Sequence, residues 1–99
     1  MKPVELHPEA DAELRSAVAY YEAQRPGLGL DLQAEVEAAL RRIQLNPLLF
    51  PPTGRPPLRK CVLRRFPYTI IFAERRDRIW VSAIAHQKRK PGYWSHRRP

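Results

Sequence analysis

Phe66-Pro67-Tyr68-Thr69-Ile70-Ile71-Phe72-Ala73-Glu74, a break at Arg75-Arg76-Asp77-Arg78, and Ile79-Trp80-Val81-Ser82-Ala83-Ile84-Ala85-His86 decide the fold of this chain. Both runs are rich in β-branched and aromatic residues, so each predicts a strand, and the short charged break joins them antiparallel. Pro67 cannot donate to a ladder and belongs at a strand start or a sheet edge. Upstream, residues 58–63 predict another strand, joined through Arg64-Arg65, which makes a three-stranded meander. Alternation puts Tyr68, Ile70 and Phe72 on one face and Thr69, Ile71 and Ala73 on the other. In the last strand it sets Ile79, Val81, Ala83 and Ala85 against Trp80, Ser82, Ile84 and His86. Both faces of the sheet are therefore apolar.

The first half of the chain supplies cover for one of them. Residues 2–6 read as a short strand carrying Val4 and Leu6. Pro8 then opens a helix at its first position, where its missing donor costs nothing, and Glu9, Asp11 and Glu13 favour the positive end of the helix dipole. Leu14, Ala17, Val18 and Tyr21 form its apolar stripe. Arg25-Pro26-Gly27 ends it near Gln24. A second helix runs from about Gly29 to Leu45 on Leu32, Val36, Leu40 and Ile43, until Asn46-Pro47 stops it. The short connection makes the two helices an antiparallel hairpin. Residues 46–57 hold five prolines and Gly54, a stiff connector in which Leu48, Leu49 and Phe50 call for burial. The expectation is one α+β domain over residues 1–99, in the order β-α-α-β-β-β, with the hairpin on one face of a mainly antiparallel sheet. The other face would expose aliphatic and aromatic groups, which predicts a partner polypeptide that covers it.

Charge points the same way. Residues 1–50 carry five Lys/Arg and eight Asp/Glu, while residues 51–99 carry thirteen and two, within an overall net charge of +8. A basic half on an acidic body suits an acidic or polyanionic partner, although an arginine-rich surface kept for solubility fits the charge alone equally well. The single cysteine, Cys61, excludes an internal disulfide and reads as a buried, inert thiol. No apolar run resembles a signal peptide or a membrane span, so the expectation is a soluble, cytoplasmic protein without membrane contact.

The basic residues crowd toward the end. His86, Lys88, Arg89, Lys90, Tyr93, His96, Arg97 and Arg98 lie within thirteen residues, with Arg64 and Arg65 reachable across the sheet. A ribonuclease that uses the 2′-hydroxyl needs a base, an acid and fixed cations for the phosphate. His86 and Tyr93 suit the first two roles, and Arg65 and Arg89 the third. The plainer readings weigh against this: a histidine closing a strand is more often structural, and Tyr93 and Trp94 suit packing or interface anchoring. No ligand spacing points to a metal, and no Gly-rich phosphate loop or nucleophile elbow points to a cofactor or a hydrolase.

Over nearly its whole length the chain resembles toxins of the RelE/ParE superfamily. The matching pieces are His7-Pro8-Glu9-Ala10, Tyr20-Tyr21-Glu22, Pro26-Gly27-Leu28-Gly29, the helix end at residues 43–47, Phe66-Pro67-Tyr68 and residues 86–94. The resemblance implies the same β-α-α-β-β-β fold and a type II toxin–antitoxin pair whose antitoxin wraps the toxin in a hetero-oligomer. Members that cut mRNA on the ribosome carry an arginine early in the strand equivalent to residues 66–74; here that position is Thr69, with Arg89 and Tyr93 as counterparts of the other nuclease residues. ParE-like members, several of which poison DNA gyrase, lack that set and resemble this chain more closely. The expected antitoxin or target contacts are Arg64, Tyr68, Trp80, Ile84, Lys88, Arg89, Tyr93 and Trp94. A ribosome-dependent endoribonuclease, with Arg65, His86, Arg89 and Tyr93 as its catalytic set, is the alternative; a non-toxic basic nucleic-acid-binding module is the third.

Overall fold

The computed structural model describes residues 1–99. The first helix, α1 (Pro8–Gln24), starts where expected: Pro8 occupies its first turn and the Nδ1 of His7 accepts the Glu9 N–H at 3.1 Å. The second, α2 (Leu28–Leu45), follows after a tight turn in which Gly27 adopts a left-handed φ of 89°. Glu22, near the end of α1, accepts the N–H groups of Gly27 and Gly29 at 2.7 and 3.0 Å, and so supplies the cap that Gly27 lacks. Gly29 is also where the helices meet most closely, since a Cβ there would lie 2.3 Å from the carbonyl oxygen of Val18.

Four strands complete the fold: β1 (Val4–Leu6), β2 (Arg59–Val62), β3 (Tyr68–Glu74) and β4 (Ile79–His86). Their order in the sheet is β1-β4-β3-β2, with β1 parallel to β4 and the other pairs antiparallel. This is the expected helical hairpin on a mainly antiparallel sheet. Leu32, Val36, Ala39 and Ile43 of α2 and Ala10 and Ala17 of α1 form one core with Ile70, Phe72, Ile79 and Val81. Cys61 belongs to the same core, and burial pushes its thiol pKa upward, consistent with an inert group.

The structure departs from simple alternation in β4. Ile71 pairs with Ala83 and Phe72 with Val81, leaving Ser82 as an extra residue opposite no partner. Such a bulge shifts the pleat by one residue, so side chains beyond it change faces. Ile84 therefore joins Ile79 and Val81 in the helix-covered core, while Ala83 and Ala85 pack with Ile71 on the opposite face. Uniform alternation had set Ile84 against Ile79 and Val81.

The expectation of an uncovered second face fails. Ile71, Ala83 and Ala85 are 1%, 0% and 5% exposed, because Leu58, Tyr93 and Trp94 pack over them. The chain after β4 turns back across the sheet and does the work assigned to a partner. Leu48 and Leu49 also differ from expectation, being 65% and 77% exposed. They sit in a single 3₁₀ turn (Pro47–Leu49), after which Phe50 alone turns inward, edge-on to Phe72 at 5.7 Å.

Gly29→Ala is expected to force the two helices apart and lower stability by about 1–3 kcal/mol. Urea unfolding checks this, and an unchanged midpoint would contradict the close approach at Gly29.

Candidate functional site

Strand β1 is three residues long and pairs with β4 only as far as Val81. The His7 N–H closes the ladder on the Val81 carbonyl at 2.9 Å, and the remainder of that edge of β4 has no strand beside it. Unpaired backbone groups at a covered edge need partners. Two side chains supply them. Glu13 of α1 accepts the Ile84 N–H at 3.0 Å, and Arg97 donates to the Ser82 carbonyl at 2.8 Å. The same two residues form a bidentate pair, Nη1–Oε1 at 3.1 Å and Nη2–Oε2 at 2.9 Å. Tyr93 donates its hydroxyl to Glu13 Oε2 at 2.7 Å, and Arg89 approaches that oxygen at 3.4 Å.

This clasp is charge-assisted and shielded, with Arg97 only 7% exposed. The Tyr93 ring is sandwiched electrostatically, with Arg89 over it at 3.7 Å and Arg97 at 5.2 Å from the centroid. Burial first, and then the hydrogen bond and charge of Glu13, hold the Tyr93 pKa well above the usual phenol range, despite opposition from the two arginines.

Beside the clasp lies an open depression of about 580 Å³. One wall is α1, through Ala12, Ser16 and Tyr20; the opposite side is formed by Tyr68, His86 and Arg89. Tyrosines line it edge to face: Tyr20 on Tyr21 at 5.1 Å and Tyr21 on Tyr68 at 6.3 Å, with His86 against Tyr68 at 5.1 Å. Burial, with Tyr21 and Tyr20 nearby, also raises the Tyr68 pKa. The Nδ1 of His86 accepts the Lys88 N–H at 3.0 Å, which leaves the proton of a neutral ring on Nε2. Tyr20 is 59% exposed, an apolar body offered to solvent.

Of the residues singled out from the sequence, Tyr68, Ile84, His86, Arg89 and Tyr93 line this depression. Arg64 and Arg65 do not. Their N–H groups are held by Glu35 of α2 at 2.7 and 3.3 Å, and the Arg65 guanidinium pairs with Asp31 at 3.1 Å. Trp80 and Trp94 line a different cleft, on the far face of the sheet, and Lys88 is exposed in the turn after β4. The sequence reading missed Glu13, which it took only as favourable charge near a helix start. It also missed Tyr20 and Tyr21 as lining groups. Nothing local marks Glu13, because its partners stand 71 to 84 positions away.

Residues 4–91 match the family model of the ParE toxin of type II toxin-antitoxin system, parDE. Among solved structures, a chain of the chromosomal ParDE TA system from P. aeruginosa superposes with a TM-score of 0.74 at 18% identity, covering 87% of this chain and 96% of that one. At that identity the likeness carries the fold. No curated protein sequence matches the chain.

Glu13→Ala strands the Ile84 N–H and leaves Arg97 without its carboxylate, so a loss of about 2–4 kcal/mol is expected in urea unfolding. Faster hydrogen exchange at Ile84 would locate the damage, and unchanged exchange there would contradict the edge-capping role. The raised Tyr93 pKa contributes stability that is complete below the ordinary tyrosine pKa of about 10 and declines as pH rises above it. Unfolding midpoints measured between about pH 8 and 11 should therefore fall, and Tyr93→Phe should make the fall shallower. Tyr68, shifted in the same direction, retains part of the slope.

Proposed function

This chain belongs to the family of ParE toxins of type II toxin–antitoxin systems, and we propose that it acts by binding DNA gyrase, without cutting RNA, and is neutralised by a cognate antitoxin. The observation that carries this reading is the commitment of the nuclease candidates to structural work. Tyr93 gives its proton to Glu13 and has its pKa driven upward, which makes it a poor base near neutral pH. Arg97 and Arg89 both point at that same carboxylate. Arg65 is held by Asp31 outside the depression, and the early strand position carries neutral Thr69. His86 keeps a free nitrogen, but the cation beside it in the depression, Arg89, is turned to the Glu13 carboxylate and the Tyr93 ring, which makes an incomplete site for 2′-hydroxyl attack.

A tyrosine-lined depression with an arginine rim is instead suited to holding a polypeptide. Exposed Tyr20, with Tyr21 and Tyr68 behind it, offers aromatic anchor surface, and the exposed Lys88 and Lys90 in the turn after β4 favour acidic neighbours. We place the antitoxin segment there, in a toxin–antitoxin hetero-oligomer. The sheet face first expected to receive it is occupied by the chain's own tail. The toxin is taken as one domain over residues 1–99, working in the cytoplasm where such targets reside. No helix of the chain is long and apolar enough to cross a membrane.

Purified protein added to gyrase is expected to inhibit supercoiling and accumulate cleaved DNA complexes. Normal supercoiling would remove the gyrase assignment. Codon-position cuts in translated mRNA that disappear with Arg89→Ala would replace it with ribosome-dependent cleavage. Tyr20→Ala is expected to weaken antitoxin binding by about 1–3 kcal/mol in calorimetry, and unchanged affinity would move the antitoxin elsewhere.

A further inference from the structure

On the far face of the sheet, away from α1 and α2, the proline-rich connector and the C-terminal tail enclose a cleft of about 650 Å³. Arg55 comes from the connector, Arg75 from the turn after β3, and Arg98 from the tail; Trp80 and Trp94 also line it. These residues are distant in sequence and are brought together only because the tail folds back over β3 and β4.

The charge in this cleft is only partly compensated, through Arg97, which also lines it and is paired with Glu13. No Asp or Glu lines it, and none of the chain's ion pairs engages Arg55, Arg75 or Arg98. The neighbouring Glu74 is taken by Lys2, whose ammonium also donates to the Arg75 carbonyl at 2.7 Å. Arg55, Arg75 and Arg98 gathered around one cleft without an Asp or Glu raise its potential, a cost that an anion relieves.

Two features narrow the anion. Guanidinium forks match phosphate oxygens in a planar, bidentate way. Trp94 is partly exposed at the wall, braced edge-on by Tyr93 at 5.3 Å, and offers a ring on which a base can stack. Volume is adequate too, because pockets of roughly 300–1,000 Å³ hold ligands of nucleotide size. We propose that this cleft binds a phosphate-bearing nucleotide unit, with Arg55, Arg75 and Arg98 on the phosphate and Trp94 against the base. The site is separate from the tyrosine-lined depression and independent of the gyrase assignment.

The test uses the full chain and a fluorescein-labelled oligothymidylate, followed by anisotropy and by quenching of tryptophan fluorescence, with thymidine monophosphate as a second probe. Binding with tryptophan quenching is expected, and it should weaken between roughly 50 and 200 mM salt. Arg55→Ala combined with Arg75→Ala should reduce affinity roughly tenfold and lower the salt slope by about 1.4, two single-strand phosphate contacts. The control, Arg25→Ala with Arg41→Ala, removes two exposed cations outside the cleft, one just after α1 and one on α2, and should leave affinity within about twofold. Competition by the monophosphate supports a free nucleotide as the source; binding of the oligomer alone supports a strand. An equal loss in the control variant would reduce the effect to overall charge and overturn the proposal. So would no binding of either probe, or a polyglutamate peptide of the same length binding as tightly as the oligonucleotide. All of these readouts are taken without gyrase, so their failure is distinguishable from failure of the target assignment.

Discussion

The carboxylate of Glu13 beneath the open edge of β4 is the contact on which the rest of the arrangement depends. Because β1 is so short, β4 would otherwise present unpaired backbone groups at residues 82–84, where α1 already covers the adjoining face. Glu13 and Arg97 take the place of a strand there, one as acceptor and one as donor. Their mutual ion pair ties the tail to the first helix, and the tail in turn seals the second face of the sheet. One acidic side chain thus links strand completion, tail docking and burial of both sheet faces. Its shielding from water is what makes it effective, since exposed pairs of the same kind contribute little.

The same device recurs at two other joints. Glu22 caps the turn between the helices through the N–H groups of Gly27 and Gly29, and Glu35 holds the N–H groups of Arg64 and Arg65 at the turn before β3. Each carboxylate projects from a helix and accepts from backbone that has no regular partner. The charge asymmetry between the halves of the chain takes on a second meaning in consequence. Glu5 and Asp31 of the acidic half pair with Arg78 and Arg65 of the basic half, and Glu9 and Glu13 both face Arg97. Much of the contrast is spent inside the molecule, fastening one half to the other. The cations left over, at the rim of the depression and in the far cleft, are the ones available to a partner.

That division bears on function. Tyr93 and Arg89 lie where a nuclease reading wants catalytic groups, yet both are turned to Glu13, and a fixed phenol with a raised pKa suits a strut better than a proton carrier. A surface with aromatic anchors and uncommitted cations suits recognition.

Helix starts and stops, the strand runs and the β-α-α-β-β-β order were all legible in the sequence, because each depends on local signals: Pro8 at a first turn, Pro26-Gly27 and Asn46-Pro47 as breaks, and periodicity between them. Three matters were not. A bulge at Ser82 depends on how β4 meets β3, and it carried Ile84 to the helix-covered face against the simple alternation. The return of Tyr93 and Trp94 over Ile71 and Ala83 depends on a tail without periodicity finding an apolar surface formed elsewhere. The role of Glu13 depends on groups more than seventy residues away. Propensity and pattern act over a few residues, so composition determined which pieces form. Satisfaction of buried polar groups and cover for apolar area act over the whole chain, and only the assembled molecule decided what each piece touches.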